Sequence, residues 1–297
     1  MISGSGHIID FNEYLRNRFK ERVWRVALDA GLTCPNRDGT LGDTGCIYCD
    51  NRSFHSSKST LIPITRQLQD GIDRITSRRG IRKVLAYYQT YTNTYAPVDH
   101  LKSLYQPAID HDAVVAIAIG TRPDCLPEPV IRLLADINRK KPIWIELGIQ
   151  TIHDATLRTI RRGHTWAASS DAIDRLHQAG IDVVAHVILG LPGESAEDMI
   201  ATARTLASKR ILGIKLHHLH AIRGTILHDL LELHEWTPMD VEEYIHIAAR
   251  FLSAFNEPIV VMRWVGDCMN DLLIAPRWHR SKTEIRDAII KSLTESA

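Results

Sequence analysis

Short apolar runs separated by stretches of helical spacing organise this chain. The runs lie at residues 23–28, 83–88, 113–119, 143–147, 183–189 and 214–219. Most are near-continuous in Val, Ile, Leu and Ala rather than alternating with polar residues, which is the pattern of strands buried on both faces of a parallel sheet. Between them fall segments whose apolar residues recur every three to four positions, at 65–78, 101–109, 128–138, 154–160 with 168–179, and 196–207, with a further one at 241–255. A basic, aromatic helix at 11–19 precedes the first run. Strand and helix in strict alternation predict an α/β fold with a parallel sheet and helices outside it. Six such units predict a partial (βα)6 TIM-like barrel spanning 22–236. An N-terminal helical segment, 1–21, precedes it, and a C-terminal α/β extension, 237–297, closes the barrel's open side.

In a barrel of this kind the chemistry sits where the strands end and the following loops converge. Polar residues cluster at those places. Cys34 follows the first run, Gln89 and Thr90 the second, and Thr121, Arg122 and Asp124 the third. Gln150 follows the fourth, Gly190 and Pro192 the fifth, and His217, His218 and His220 end the sixth. Six polar strand ends aimed at one mouth predict a single site.

The densest chemistry is the stretch CPNRDGTLGDTGCIYC, from Cys34 to Cys49. Its turn formers, Pro35, Asn36, Asp38, Gly39, Gly42, Asp43 and Gly45, disfavour helix or strand and let the loop curl Cys34, Cys46 and Cys49 inward. Three readings are compatible with that spacing. A [4Fe-4S] cluster on three cysteines keeps one iron without a protein ligand; a closed zinc site would add His55 as its fourth ligand; or the cysteines are unconnected core residues. Cys125 and Cys268 stand apart, and Cys268 reads as a buried free thiol.

Charge and composition narrow the partners. A net charge of +1 over 297 residues leaves no global field to draw the chain to nucleic acid or membrane, so RNA contact would have to come from local patches. Candidates are Arg78, Arg79, Arg82 and Lys83, and then Arg139, Lys140 and Lys141, which read equally as solvated surface. The start MISGSGHIID lacks a signal peptide's basic and apolar regions, and no apolar run approaches the roughly 20 residues of a membrane span. With an odd number of cysteines crowded into one loop, these features predict a cytoplasmic protein whose thiolates bind metal.

Beyond the cysteine loop, the words LDAGLTCPNRDGT, QTYTNTYAP, TRPDCL, ELGIQT, RRGHT, HVILGLPGE and a late RGT recur in order between about Phe11 and Trp278. Together they resemble the YhcC-type radical S-adenosylmethionine (SAM) proteins, which are similar to the radical SAM domain of Elongator's catalytic subunit. The resemblance implies the partial barrel, a [4Fe-4S] cluster on Cys34, Cys46 and Cys49, and reductive cleavage of SAM to a 5′-deoxyadenosyl radical. It implies SAM contacts at Tyr48, Gln89, Thr90, Gln150, Arg162, His186 and Gly190. Two departures stand out: Gln89–Thr90 replaces the usual glycine-rich motif, and His186 stands where a ribose-contacting acid is common. Arg162 reads alternatively as a solvated helix end, and His186 as a packed core histidine.

Polar residues without an assigned role, Tyr91, Asn93, His164, His218, Arg223 and Asp267, are candidates for the catalytic chemistry. His218 and the other histidines of HHLH read as core or substrate-facing rather than as a second metal site. The resemblance further implies a tRNA substrate, modified on the carbon-5 side chain of the wobble uridine, and an external electron donor such as flavodoxin or ferredoxin. Alternatives are radical chemistry on a protein or small metabolite, and a zinc- or cluster-containing RNA-binding module without catalysis.

Overall fold

Each apolar run becomes a strand in the computed structural model, which describes residues 7–50, 62–268 and 271–295. In chain order the elements are β1 (Ile8–Asp10), α1 (Phe11–Phe19), β2 (Val23–Leu28), α2 (Ile64–Arg79), β3 (Lys83–Tyr88), α3 (Val98–Asp110) and β4 (Val114–Thr121). There follow a 3-10 turn (Pro123–Cys125), α4 (Glu128–Lys140), β5 (Ile143–Gln150), α5 (Asp154–Thr159), α6 (Trp166–Gln178), β6 (Asp182–Leu189), α7 (Ala196–Ser208) and β7 (Gly213–His218). The chain finishes with β8 (Ala221–Ile222), α8 (Ile226–Glu232), α9 (Val241–Ser253), β9 (Ile259–Arg263), β10 (Leu273–Ala275) and α10 (Lys282–Glu295).

The main sheet is parallel throughout and runs β1-β9-β7-β6-β5-β4-β3-β2. The α/β partial barrel expected from the pattern is present, and it is wider than six strands. Strand β9, from the C-terminal extension, pairs with β7, Gly213 opposite Val260, and β1 joins the edge by pairing with β9. Three residues are too few to show a period, so β1 left no signal in the sequence. Two helices, α8 and α10, were likewise unforeseen; α10 buries only the narrow stripe Ile285, Ile289 and Leu293, packed against α9.

The sheet's two faces differ. Outward residues such as Val26, Ile117, Ile145, Val183 and Ile214 join the helices in one large apolar core. Inward residues near the start of the strands, Val23, Leu85, Ala116, Trp144, Val184 and Val260, close on Leu15, Phe11 and Tyr14 of α1. Phe11 and Tyr14 meet the Trp144 ring edge-on, at 6.1 and 6.5 Å between centroids. Asp10 caps α1 by accepting from Asn12 N at 2.8 Å, which fixes where the helix enters. Helix α1 thus plugs the N-terminal end of the barrel. Two residues further along the strands the inward side chains turn polar: Glu146 follows Trp144, and His186 follows Val184. The plug leaves a polar chamber above it. Among the described residues no helix is long and apolar enough to cross a membrane.

Candidate active site

The cysteine loop leaves β2 at the barrel's C-terminal end and is held by one asparagine. Asn36, buried, donates its amide N–H groups to the carbonyls of Arg161 at 2.8 Å and Arg162 at 3.0 Å, and its Nδ2 lies 3.5 Å from Cys46 Sγ. Its backbone carbonyl accepts from Gly45 N at 2.7 Å. A Cβ at Gly163 would stand 2.5 Å from Asn36 Oδ1, and Gly163 has φ +79, so only glycine permits this closure. Cys46 and Cys49 are brought together by a turn in which Cys49 N donates to Cys46 O at 2.9 Å.

The three thiols share one field. Burial first, then the neighbouring Cys46 and Cys34, push the Cys49 thiol up to about 11. A buried thiol set against two others belongs to a donor set suited to a positive centre, which would reverse that cost. His55, the fourth ligand of the zinc reading, lies outside the described residues.

Beside the loop opens a cavity of about 1030 Å³, its mouth included. It brings together nine of the residues expected from sequence: Tyr48 and Cys49 from the loop, Gln89 after β3, Gln150 at the end of β5, His186 on β6, His217, His218 and His220 at and just beyond the end of β7, and Asp267 beyond β9. Gln150 adopts φ +74 at a bulge in the β5–β6 register, a conformation unusual for a non-glycine residue. Backbone strain of this kind marks the cavity wall.

The other expected residues lie around that cavity rather than on it. Cys46 is buried and Cys34 half-buried beside it. Arg162, buried, is not a solvated helix end: Nε and Nη2 donate to Gly148 O at 3.2 and 2.6 Å, and Nη1 lies 3.7 Å from Cys46 Sγ. A Cβ at Gly148 would fall 2.4 Å from Arg162 Nη2, so glycine makes room for this fork. Thr90 is buried with an unpartnered hydroxyl. Tyr91 turns at φ +60, and Asn93, also buried, donates to Gly120 O at 3.0 Å. His164 is buried against Arg162 and Arg122, and Arg223 is exposed. Gly190 N donates to Met199 Sδ at 3.2 Å, and its carbonyl accepts from Trp236 Nε1 at 3.3 Å.

Sequence reading singled out His186 but missed the ion pair beside it on the floor of the chamber. Glu146 and Lys215 are 2% and 1% exposed and form an ion pair between β5 and β7. Glu146 also accepts from His186 Nε2 at 2.9 Å, and Lys215 Nζ donates to Tyr87 OH at 3.1 Å. Burial alone would raise the Glu146 carboxyl; the Lys215 ammonium and the His186 bond overcome it and hold it below the usual carboxylate range. A signal was there to be read: one acidic and one basic residue standing alone inside apolar strands, in IWIELGIQ and GIKLHH.

A sequence profile of the radical SAM superfamily matches residues 34–206, from the first cysteine of the loop to the end of α7. This chain belongs to the radical SAM superfamily. A second profile, the radical SAM C-terminal domain, matches 211–295. The chain is similar to YtqA of Bacillus subtilis, 35% identical over 95% of this chain and 88% of that one. It is also similar to YhcC of Escherichia coli K12, 34% identical over 90% of this chain and 86% of that one. A weaker match, 29% identical over 51% of this chain but only 27% of the relative, is to tRNA uridine(34) acetyltransferase of Methanocaldococcus infernus. Among solved structures, the archaeal Elp3 of M. infernus superposes with a TM-score of 0.68 at 19% identity, covering 92% of this chain and 63% of that one. The last likeness concerns the fold.

Radical SAM enzymes carry a [4Fe-4S] cluster and SAM, and the donor set of the loop fits the cluster. Cys34, Cys46 and Cys49 would hold it; when bound, it supplies the electron that splits the sulfonium of SAM. The protein's own tasks are to orient SAM, keep water out and hold protons in place. Burial keeps the histidines here neutral: His186 and His220 are pushed down to about 4 and His164 to about 3, with His217 and His218 also well below 6.5. An unfolded chain would protonate them near 6.5, so between about pH 6.5 and 4 the unfolded state binds more protons. The unfolding temperature is therefore expected to fall steadily as pH drops through that window. A Tm flat from pH 7 to 4.5 would show these histidines to be free to ionise in the folded protein.

Proposed function

We propose that this radical SAM enzyme acts on tRNA, at the carbon-5 side chain of the wobble uridine. The observation that carries this reading is the similarity over half the chain to a tRNA uridine(34) acetyltransferase. The chain spans about a quarter of that relative, so the proposal concerns the radical step alone. Local charge supports RNA contact. Among the described residues β2 ends the sheet, and in the groove between β2 and α2 Trp24, 39% exposed, carries Arg79 over its ring at 4.7 Å, with Arg25, Arg74 and Arg78 beside it and Asp70 as the groove's acid. Aromatic faces interleaved with guanidinium groups suit an unstacked, anionic strand.

In this reading residues 22–236 form the catalytic barrel, between the 1–21 segment and the 237–297 extension. Cys34, Cys46 and Cys49 hold the cluster. SAM lies across the chamber between Tyr48, Gln89, Thr90, Gln150 and His186, with Gly190 on the adenine side. Arg162 acts on the loop side, where its fork on Gly148 O and its approach to Cys46 couple the SAM wall to the cluster loop. An external electron donor of the flavodoxin or ferredoxin class reduces the cluster, in the cytoplasm.

Deletion of the gene tests the substrate. Chromatography and mass spectrometry of digested tRNA are expected to show a changed side chain on the wobble uridine, restored by the intact gene and not by a Cys46→Ala copy. An unchanged nucleoside profile would remove tRNA as the substrate and leave the enzyme class standing.

A further inference from the structure

Of the described residues lining the cavity, Arg263 carries the one positive charge, and the Glu146–Lys215 pair does not use it. Arg263, half-buried at the end of β9, lines the cavity. Its charge bears on Tyr87, His186, Lys215, His217 and His220, so the guanidinium stands among the inward side chains of β3, β6 and β7. Among the described residues no carboxylate lies within ion-pair distance of it. Glu146 is taken by Lys215 and His186, and Asp267, on the same cavity wall, pairs with Lys282 Nζ at 2.5 Å. Asp50, the remaining acid on the wall, comes from the cysteine loop and has contacts of its own.

The imidazole of His217, which this charge reaches, also has unused capacity, as does that of His218 on the other face of β7, stacked on Trp278. His217 Nε2 and His218 Nδ1 are buried on the cavity wall without a hydrogen-bond partner, and His218 as a whole is 7% exposed. A neutral imidazole has one donor and one acceptor nitrogen, and leaving either unpaired in a closed site is costly. A half-buried guanidinium without a counter-ion is costlier still. Both deficits are met by one kind of ligand.

We propose that Arg263, assisted by His217, binds a carboxylate carried by the substrate at the floor of the chamber. The fork of the guanidinium matches a carboxylate's two oxygens. Arg25, exposed on β2, also bears on Tyr87 and Lys215 but does not line the cavity, so a single guanidinium meets the ligand there; it balances a singly charged carboxylate and leaves a phosphate dianion under-neutralised. The carboxylate is taken as the substrate's own rather than that of SAM, and because Arg263 shares its cavity with Tyr48 and Cys49 of the cysteine loop, the titration in the presence of SAM separates the two. The proposal rests on this chamber being the substrate site, and holds whether the carboxylate is borne by an RNA base or by a small molecule.

The test uses the full-length, cluster-loaded protein under anaerobic conditions. Acetate is titrated against thermal unfolding, with sodium chloride at matched ionic strength as the control, in the absence and presence of saturating SAM. Acetate is expected to raise the Tm in both conditions and to bind more tightly than inorganic phosphate. Arg263→Gln is expected to weaken acetate binding by at least about 10-fold while SAM affinity stays within about twofold of wild type. Four results would overturn the proposal: no acetate effect beyond chloride, an equal effect on Arg263→Gln, tighter binding of phosphate, or displacement of acetate by SAM. A loss of SAM affinity in Arg263→Gln would likewise assign the residue to SAM. Should Arg263→Gln not fold, Arg263→Lys keeps the charge without the fork and is expected to bind acetate several-fold more weakly; unchanged affinity there also overturns it. None of these readouts depends on the nucleoside profile of tRNA.

Discussion

Replacing any one of Cys34, Cys46 and Cys49 by Ala is expected to strip iron and sulfide from the reconstituted protein and to bring 5′-deoxyadenosine formation down to background. Removing a group that only orients a metal ligand costs roughly 10- to 100-fold, and loss of a ligand itself should exceed that. The fold should survive. The loop's closure rests on Asn36, which bonds to the Arg161 and Arg162 carbonyls, and on the Gly45 and Cys49 backbone bonds, none of which needs a thiol. Iron analysis, the visible absorption of the cluster, and far-ultraviolet circular dichroism measured on the same sample separate these effects. A variant that keeps full iron and sulfide would remove its residue from the ligand set.

The second large effect lies on the chamber floor. Lys215→Met strands the Glu146 carboxylate, 2% exposed, with His186 as its remaining partner. Breaking one side of a buried pair typically costs about 3–5 kcal/mol, which for a domain of this size lowers the Tm by roughly 5–15 °C. The double variant Glu146→Leu with Lys215→Met removes both charges and is expected to recover most of that loss. A double variant as unstable as the single one would show that packing, not charge, dominates. The pH dependence carries the same sign. With its pKa held down in the folded state, the Glu146 carboxylate contributes stability that is complete above the unfolded value of 4.5 and lost as pH falls below it. Wild type should therefore lose stability in acid more steeply than the double variant.

Much of the fold was legible because a parallel sheet covered on both faces needs apolar runs, and the runs at 83–88 and 183–189 announce β3 and β6 almost residue for residue. The cysteine loop was legible because cluster chemistry demands one residue type at tight spacing. Arg162 shows where reading stopped. In sequence it adjoins Arg161 near a helix end, as a solvated cation would; only the fold brings Gly148 and Cys46 to its guanidinium. His186 is similar, since its partner Glu146 lies 40 residues away on the neighbouring strand. Both contacts cross between elements, and no local period records them.

What the sequence determined by itself was the periodicity of its strands and helices, the identity and spacing of the three thiols, and the order of polar strand ends that a barrel gathers at one mouth. These are local properties, set by side-chain volume, backbone preference and covalent spacing. The tertiary structure alone decided that β9 and β1 extend the sheet, that α1 plugs one end of the barrel, and that Tyr87, Glu146, Lys215, His217 and Arg263 meet above the plug. Those residues come from four strands far apart in the chain. What joins them is sheet order and curvature, which arise from the packing of the whole core and have no counterpart in any single stretch of sequence.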